Sequence, residues 1–315
     1  MQSIKKLHHF LPRFYLRGFT SNDEGQIEQY FLSDNNTVTT HINNAGAEKF
    51  LYSIRSEDHD KDDKIENMFA EFENYMAPAI AKIRQTPKSL SPEEKEWVVQ
   101  FVTFQYLRTP KIITRAGDLS ETFVYERLEE LAKDTERLKK VHEEAGIKDF
   151  SIEELKEFML KKQDAYKVKF SNNHILGHIL KLYGTVFPIL FCLNWKVLES
   201  PHNHYFVTSD FPVSTLLPTP TGNIIVSGAI GNPLAEIAIP ISSNLCLTAN
   251  RNGNNFFKHV KVSTKIVKWI NMRTIACANN FLYAKTFTAE IEELINDCRI
   301  MKRDQGLDRK KDERQ

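Results

Sequence analysis

The most concentrated group of chemically capable side chains lies near the start of the chain, in the segment HHFLPRFYLRGF that begins at His8. The adjacent imidazoles of His8 and His9 are suited to proton transfer or metal binding near neutral pH. If Pro12 begins a helical turn, Arg13 and Arg17 share one face and could bind an anionic substrate such as a phosphate. The alternative is a terminal segment whose aromatic side chains dock on the core and whose arginines pair with carboxylates.

A second candidate is the sequence TSDFP, in which Ser209 and Asp210 follow a β-prone run. A carboxylate just past a strand is a common position for a metal ligand or a general base. We therefore predict that Asp210 is a catalytic group, that Ser209 contacts substrate, and that His9 and Asp210 are candidate metal ligands. The alternative is a turn closed by hydrogen bonds between side chains and the backbone.

A third candidate is the pair Gln105 and Arg108, three residues apart on an otherwise apolar helix. A buried arginine needs a partner. Glu66 and Glu73 lie on one face of the preceding predicted helix, and we expect Arg108 to pair with one of them. We predict Glu73 as a catalytic group and Gln105 and Arg108 as substrate contacts on a cleft wall. The alternative is a purely structural network of the same groups.

Other signals are weaker or absent. His174 and His178 have the spacing of a helical metal pair, but the sequence HILGH lacks the glutamate of HExxH, and Gly177 weakens the helix. The chain has no Walker A loop and no GxGxxG after a strand, and it lacks a GxSxG elbow and the kinase signatures. Nucleotide-driven and serine-hydrolase chemistry are therefore not supported.

Composition narrows the class of protein. The 315 residues include 42 Lys and Arg against 41 Asp and Glu, which argues against a uniformly basic surface for nucleic acid. The four cysteines form no CxxC pair, so neither a zinc ribbon nor a redox dithiol is indicated. The first residues lack the apolar core of a signal peptide, and the longest apolar run is too short to span a bilayer. We expect a cytoplasmic protein with no membrane partner.

Hydrophobic spacing predicts helices from residue 62 to about residue 185. Pro78 is expected to kink or interrupt the first of them. Ser91 begins a capping box with proline at the first helical position, and that helix should stop before Pro110. The charge-rich residues 119–144 are expected to form an exposed helical arm able to contact a protein partner.

Residues before and after the predicted helical region have the sequence patterns that are typical of β-strands. Residues 26–32 and 37–42 flank a Ser-Asp-Asn-Asn turn and predict a hairpin. Short β-prone runs follow later, at Trp195–Leu198, Tyr205–Thr208, Val213–Leu217, Asn223–Ser227, Ile237–Pro240, Leu245–Ala249 and Phe281–Lys285. Further helices are predicted over residues 261–278 and 289–301.

These elements predict an α+β fold, in which the helical middle packs with a largely antiparallel sheet from the N-terminal hairpin and the C-terminal half. We predict one domain over residues 1–302. It would comprise an N-terminal segment and hairpin (1–60), a helical part (62–185) and a strand-rich part with C-terminal helices (195–302). The charged residues 303–315 are expected to be a disordered tail.

The combined motifs resemble those of the uncharacterised DUF4238 family. Its opening pattern HHxxPxxYLRxF is matched from His8 to Phe19, and the remaining patterns fall in order along the chain: AEKxxYS from Ala47, the paired glutamates Glu66 and Glu73, QxxRTP from Gln105, TSDxPV from Thr208, and the Asn271 and Ala278 of a late helix. The resemblance implies no established activity. Because the shared patterns include the polar groups HH, QxxR and SD, it does favour a functional site at those positions.

We therefore expect a hydrolase, with a metal-dependent nuclease or phosphoesterase as the first candidate. His8, His9, Glu73 and Asp210 would carry the chemistry, and a divalent metal is the expected cofactor, if there is one. Arg13, Arg17 and Arg108 would hold a nucleic-acid or nucleotide phosphate. Such an activity would suit bacterial stress response or phage defence. The alternative is a non-catalytic interaction module in which the same polar residues form a structural lock.

Overall fold

Helices occupy the middle of the chain in the computed structural model, which describes residues 6–55, 61–87, 90–146, 149–161, 166–219, 222–226, 230–252 and 257–304. The helices are α1 (Arg13–Leu16), α2 (Lys64–Gln85), α3 (Pro92–Leu107), α4 (Pro110–Lys133), α5 (Thr135–Glu144), α6 (Ile152–Lys161), α7 (Asn172–Phe191), α8 (Thr264–Cys277) and α9 (Ala289–Asp304). A short 3₁₀ turn, Arg17–Phe19, follows α1. The predicted helical region is confirmed.

Local signals determine several helix ends. The Ser91 hydroxyl accepts the Glu94 N–H at 3.2 Å, and the Glu94 carboxylate accepts the Ser91 N–H at 2.7 Å, which confirms the capping box at the start of α3. Helix α3 ends at Leu107, and Pro110 begins α4. Helix α2 continues through Pro78, so the expected interruption does not occur. Packing of its buried face outweighs the one backbone hydrogen bond that proline removes.

The strands are β1 (Leu7–His9), β2 (Gln26–Phe31), β3 (Asn36–His41), β4 (Ala47–Lys49), β5 (Ile54–Arg55), β6 (Lys61–Asp62), β7 (Asn194–Glu199), β8 (Thr208–Ser209), β9 (Ser214–Thr219), β10 (Gly222–Val226), β11 (Glu236–Pro240), β12 (Leu245–Asn250), β13 (Lys258–Lys261) and β14 (Phe281–Ala284). Of the run predicted from Tyr205, only Thr208 lies in a strand. Strand β13 was not predicted, and helix α8 starts at Thr264 rather than at residue 261. Ser227 and residues 305–315 of the predicted tail lie outside the described residues, and α9 extends to Asp304.

The described strands form two larger sheets and two small ladders. One sheet has the order β10-β9-β11-β12-β7-β13 and the other the order β3-β2-β14-β8, while β1 pairs with β4 and β5 with β6. The second sheet joins the N-terminal hairpin to C-terminal strands, which confirms the α+β prediction. Pairing is antiparallel except between β13 and β7, where Lys258 lies beside Lys196 in a parallel register.

The N-terminal segment is part of the main core. Tyr15, Leu16 and Phe19 have no exposed surface, and the Tyr15 ring packs 5.4 Å from the ring of Phe101 on α3. Burying one such aromatic or aliphatic side chain stabilises a fold by roughly 1.5–3 kcal/mol. The core cluster that contains them extends through α2, α3 and α7 to β7, β11 and β12. The opening motif is therefore held from both the helical and the sheet side.

Gly18 allows the segment to lie this close to its neighbours. A Cβ at this position would come within 2.5 Å of both the Arg84 guanidinium and the Ile241 carbonyl oxygen. Arg84 itself donates to the carbonyl oxygens of Phe14 at 2.8 Å, Tyr15 at 2.7 Å and Ile241 at 2.8 Å. One arginine of α2 thus connects the opening motif to the turn after β11.

Helix α7 is long and apolar enough, by length and composition, to cross a membrane, and 22% of its most apolar window is buried in the fold. Core helices of soluble proteins also meet that criterion, and α7 packs against α3 and α4. A cytoplasmic location without a membrane partner therefore stays a prediction.

Candidate functional site

Strand β1 turns its two histidines in opposite directions. His8 lies opposite Glu48 and His9 opposite Ala47 in the ladder with β4, and successive side chains of a strand point to opposite faces. His8 has no exposed surface, whereas His9 is half-buried. The predicted pair of histidines is therefore split between two environments.

His8 is held by the backbone and by a carboxylate. Its Nδ1 accepts the Tyr52 N–H at 2.9 Å, its Nε2 lies 3.5 Å from Asp63 Oδ1, and its ring stacks on the Tyr52 ring at 5.8 Å. Both nitrogens are engaged inside the core. This arrangement fixes the loop after β4 and leaves His8 no lone pair for a substrate.

Within the part of the chain that the structure describes, one ring nitrogen of His9 has no hydrogen-bond partner. Its Nε2 lies 3.0 Å from the Asn43 carbonyl oxygen, which can only accept, so Nε2 carries the proton and Nδ1 is the open acceptor of the neutral ring. Burial is the main cause that lowers the pKa of His9, and the hydrogen bond to Asn43 opposes it. The charges of Arg13 and Arg108 lower this pKa further, while Glu73 raises it. His9 is therefore a neutral proton acceptor at physiological pH.

Arg108 and Glu73, whose charges act on the pKa of His9, form a partly buried ion pair. Arg108 is 1% exposed, its Nη1 donates to Glu73 Oε1 at 2.9 Å, and its Nε donates to the Phe10 carbonyl oxygen at 3.0 Å and to Gln105 Oε1 at 3.1 Å. The expected pairing of Arg108 with a glutamate of the preceding helix is confirmed for Glu73. Glu66 lies half-buried on the same helix.

One nitrogen of the Arg108 guanidinium makes no hydrogen bond within the described residues. Its Nη2 is buried and has no hydrogen-bond partner among the described residues. An unsatisfied buried donor costs about 1–3 kcal/mol, and more for a charged group. The Glu73 side chain beside it is 28% exposed, and within the described residues its Oε2 makes no hydrogen bond. An anionic ligand would satisfy the free donor of the guanidinium.

The two other predicted arginines lie at the surface. Arg13 and Arg17 are both exposed, and Arg13 Nη1 donates to Asn43 Oδ1 at 3.4 Å. Asn43 thus contacts His9 through its carbonyl oxygen and Arg13 through its side chain. We name His9, Arg13, Glu73 and Arg108 the His9 site.

Asp210 has a different set of partners. The carboxylate is 5% exposed and accepts the N–H groups of Asn279 at 2.8 Å, Asn280 at 2.7 Å and Phe281 at 3.2 Å. Burial raises the pKa of Asp210, while these amides and the Lys111 ammonium oppose the rise. The carboxylate therefore closes the turn between α8 and β14.

The neighbours of Asp210 are also engaged. Ser209 Oγ accepts the Phe211 N–H at 3.2 Å, and Thr208 Oγ1 lies 2.6 Å from the hydroxyl of Tyr15, which donates to the Pro240 carbonyl oxygen at 2.8 Å. Gln105 similarly donates to the Phe10 carbonyl oxygen at 3.3 Å. We name His8, Gln105, Ser209 and Asp210 the buried lock.

No metal centre is apparent in the part of the chain that the structure describes, because no three His, Cys, Asp or Glu side chains converge there. His9 and Asp210, the two candidate ligands, have separate hydrogen-bond partners. His174 and His178 pack ring against ring at 4.5 Å on the exposed surface of α7. His9 and Asp210 thus lie in different surroundings in the structure.

A family model described as "Protein of unknown function (DUF4238)" matches residues 7–287 of the 315. The chain belongs to this family. No curated protein and no solved structure matches it. The DUF4238 match starts one residue before His8 and ends beyond the amides that Asp210 binds, so it contains both the His9 site and the buried lock.

Some important residues of this DUF4238 chain were not predicted. Arg84 binds three backbone carbonyl oxygens, and burial lowers its pKa to about 10, yet the sequence marks it only as a charge near the end of a helix. Asn271, noted for the resemblance alone, donates to the Tyr205 carbonyl oxygen at 2.8 Å and accepts the Val207 N–H at 3.0 Å. An asparagine in the middle of an apolar helix was the available signal.

Proposed function

We propose that the chain hydrolyses a phosphoester at the His9 site, with His9 as the general base and Arg108 as the phosphate ligand. The observation that carries the proposal is the buried Nη2 of Arg108, which has no hydrogen-bond partner among the described residues, on a guanidinium that pairs with Glu73 and whose charge lowers the pKa of His9. A guanidinium with one free donor recognises an anionic oxygen well, because the hydrogen bond is charge-assisted. Asp210, which was expected to take part, has no role in this reaction.

The proposed reaction assigns one role to each of the four residues. Arg108 Nη2 and Arg13 would bind two non-bridging oxygens of the phosphate, and Glu73 would hold Arg108 in place through Nη1. A water molecule would lose its proton to His9 Nδ1 as its oxygen bonds to phosphorus. The bond from phosphorus to the ester oxygen breaks, the leaving oxygen takes a proton from solvent, and His9 returns its proton to solvent.

A nucleotide or a nucleic-acid strand is the proposed substrate. The phosphate ligands are two arginines, whereas the chain as a whole is nearly neutral at +1. Long duplexes are recognised largely through extended basic surfaces, so short or single-stranded substrates fit this charge better. A role in bacterial stress response or phage defence remains part of the proposal.

A cleavage assay tests the proposal. The purified chain is incubated with labelled RNA, single-stranded DNA, duplex DNA and mononucleotides, each with Mg²⁺, Mn²⁺, Zn²⁺ or EDTA, so that a metal requirement is measured directly. His9→Gln keeps a donor for Asn43 but removes the base. We expect it to lower kcat/KM by about 10²–10⁴-fold, the usual contribution of a general base. Glu73→Gln should weaken substrate binding through Arg108.

His178→Gln is the matched control, because His178 is an exposed histidine on α7 outside these contacts. It should cleave as the wild type does, and circular dichroism should show all variants folded. Cleavage by His9→Gln at the wild-type rate would identify a contaminating nuclease or a different site and would rule out this mechanism. Absence of cleavage under every condition would do the same.

A second candidate function, an interaction module, is supported by the predicted arm of residues 119–144 together with the α6 region that packs against it. Five large apolar side chains there are exposed: Leu119, Phe123, Phe150, Phe158 and Leu160. Exposed apolar patches on otherwise charged surfaces are typical of protein interfaces. Light scattering of the wild type and of Leu119→Glu/Phe123→Glu tests this reading. Loss of an association in the arm variant, together with an inactive wild type, would favour the interaction module over the hydrolase.

A further inference from the structure

A polar cavity lies at one end of the six-stranded sheet, and none of the residues of the His9 site lines it. Its volume is about 690 Å³, and it is bounded by the residues that follow β7, by the turn after β11, by the end of β13 and by Lys285 after β14. Pockets for small molecules commonly have about 300–1,000 Å³. The cavity is therefore large enough for a ligand the size of a nucleotide.

The charge around this cavity is positive. Lys261 and Lys285 line it, and neither forms an ion pair with a carboxylate within the described residues; the Lys285 ammonium lies over the Tyr205 ring, 5.6 Å from its centroid. The one carboxylate in the lining, Glu199, lies 2.7 Å from His259 Nε2. Two lysines and one carboxylate therefore line the cavity, which leaves its lining with a net positive charge.

The nearby Glu290 carboxylate does not neutralise the positive charge of Lys261 and Lys285. Its carboxylate pairs with Lys268 at 2.8 Å and lies 3.3 Å from His204 Nδ1. The hydrogen bond from Lys268 is the main cause that lowers the pKa of Glu290. This carboxylate is ionised and already paired, so it does not neutralise the cavity.

An unsatisfied hydroxyl points to a missing ligand. Ser200 lines the cavity, and its Oγ is buried without a hydrogen-bond partner among the described residues. A serine hydroxyl can donate one hydrogen bond and accept two, and buried hydroxyls are normally paired. This observation is independent of the lysines and favours an acceptor such as a phosphate oxygen.

The rim of the cavity has a defined backbone. The Ser200 N–H donates to the Asn244 carbonyl oxygen at 2.9 Å, and the His204 N–H donates to Pro201 at 3.2 Å. Asn203 between them has a φ of 65°, a left-handed conformation that asparagine tolerates better than most residues. These two hydrogen bonds connect the residues after β7 to the turn between β11 and β12 and close the turn that contains Asn203.

We propose that this cavity binds a phosphate-bearing small molecule of about nucleotide size. Lys261 and Lys285 bind its phosphate groups, and the Ser200 hydroxyl donates to one phosphate oxygen. The proposal does not depend on hydrolysis at the His9 site, because Lys261 and Lys285 are not among the residues of that site and their variants report on this cavity.

Calorimetric titration of the full chain tests this site. The ligands are AMP, ribose 5-phosphate, pyrophosphate, inorganic phosphate and sulfate at constant ionic strength. The expected result is saturable binding of the phosphorylated organic compounds with one site that Lys261→Met and Lys285→Met each weaken by about tenfold, the loss of one charge-assisted contact. Methionine retains the aliphatic stem and removes the charge. Lys258→Met, an exposed lysine of the same strand β13 outside the cavity, is the matched control and should bind as the wild type does.

The variant Ser200→Ala tests whether the Ser200 hydroxyl contacts the ligand or only stabilises the fold. Removal of an unpartnered buried hydroxyl should leave the melting temperature unchanged or raise it, while the affinity falls severalfold. A lower melting temperature with unchanged affinity would show that the hydroxyl is structural and would overturn its assigned role. Equal affinity for sulfate and AMP would mean an adventitious ion only. No saturable binding, or an equal loss in Lys258→Met, would overturn the site.

Discussion

His8 and His9 are adjacent in the sequence but differ in their burial and in their hydrogen bonds. His8 has no exposed surface, and both of its nitrogens are engaged by Tyr52 and Asp63. His9 is half-buried, binds one carbonyl oxygen and keeps a lone pair. The alternation of a strand produces this difference, because neighbouring side chains leave on opposite faces. Of the two adjacent histidines, His8 therefore belongs to the buried lock and His9 belongs to the His9 site.

Arg108 connects the two regions. Its Nε joins Gln105 and the Phe10 carbonyl oxygen in the lock, its Nη1 binds Glu73, and its Nη2 has no partner within the described residues. Where all polar groups are satisfied, a substitution should cost stability. Where a donor is left free, a substitution should cost function with less effect on stability. The following experiments test this distinction, from the largest expected effect to the smallest.

Asp210→Ala should have the largest effect on stability. The substitution leaves the amides of Asn279, Asn280 and Phe281 without their acceptor in a buried turn. We expect the free energy of unfolding to fall by about 3–5 kcal/mol, as for other buried charged groups that lose a partner. Urea denaturation followed by circular dichroism measures it.

Asp134→Ala is the matched control for that substitution. Asp134 also accepts a backbone N–H, from Arg137 at 3.1 Å, but it does so at an exposed helix start. The expected cost is about 1 kcal/mol, the usual value of an N-cap. If the two variants lose equal stability, Asp210 is an ordinary turn residue, and its place in the buried lock is wrong.

The pair His8→Ala and His9→Ala tests the comparison within one strand. His8→Ala removes an acceptor from the Tyr52 N–H and opens a cavity, so the free energy of unfolding should fall by about 2–4 kcal/mol. His9→Ala should cost about 1 kcal/mol or less, since a half-exposed site can rehydrate. Chemical denaturation of both variants gives the two values. A larger loss for His9→Ala than for His8→Ala would reverse the assignment of the two histidines.

Gly18→Ala tests how tightly the opening motif lies against the turn after β11. The new Cβ would meet the Ile241 carbonyl oxygen at 2.5 Å, and backbone cannot move aside as a flexible side chain can. We expect a loss of about 1–3 kcal/mol from overpacking. Gly177→Ala on α7, where a Cβ meets nothing within 4 Å, should be neutral or stabilising. Equal thermal stability of both variants would show that the motif can shift without cost.

Short-range signals predicted much of the fold. The capping box at Ser91, the proline at residue 110 and the Ser-Asp-Asn-Asn turn all act within a few residues, and the elements that they delimit are confirmed. Strands β1 and β13 were missed, because each is three or four residues long and exists only through its partner strand. The parallel pairing of β13 with β7 has no local signal at all.

The polar partners could not be predicted for the same reason. His8 binds a residue 44 positions away, Arg108 one 98 positions away and Asp210 one 69 positions away. The sequence indicated which residues are polar in apolar surroundings and therefore need partners. It predicted the pairing of Arg108 with a glutamate of α2, where helical periodicity limited the choice. The sequence did not show which polar side chains have hydrogen-bond partners for all their atoms and which keep an atom without a partner, because the burial of a single atom depends on the whole fold.

The pH dependence of stability gives the smallest effect but tests the environment of His9 directly. Burial lowers the pKa of His9 below its ordinary value of 6.5, so between the two values the unfolded chain binds this proton more readily than the folded chain. The free energy of unfolding should therefore fall as the pH decreases from 6.5 through the folded pKa. In His9→Gln this contribution is absent, and the stability difference between wild type and variant should shrink on acidification. Urea denaturation of both proteins at several pH values between about 7.5 and 5 measures the difference between their free energies of unfolding. The contributions of the other titrating groups cancel in this difference, because both proteins contain them. A stability difference that does not change with pH would show that the pKa of His9 is the same in the folded and unfolded chains, which would contradict its burial in the fold.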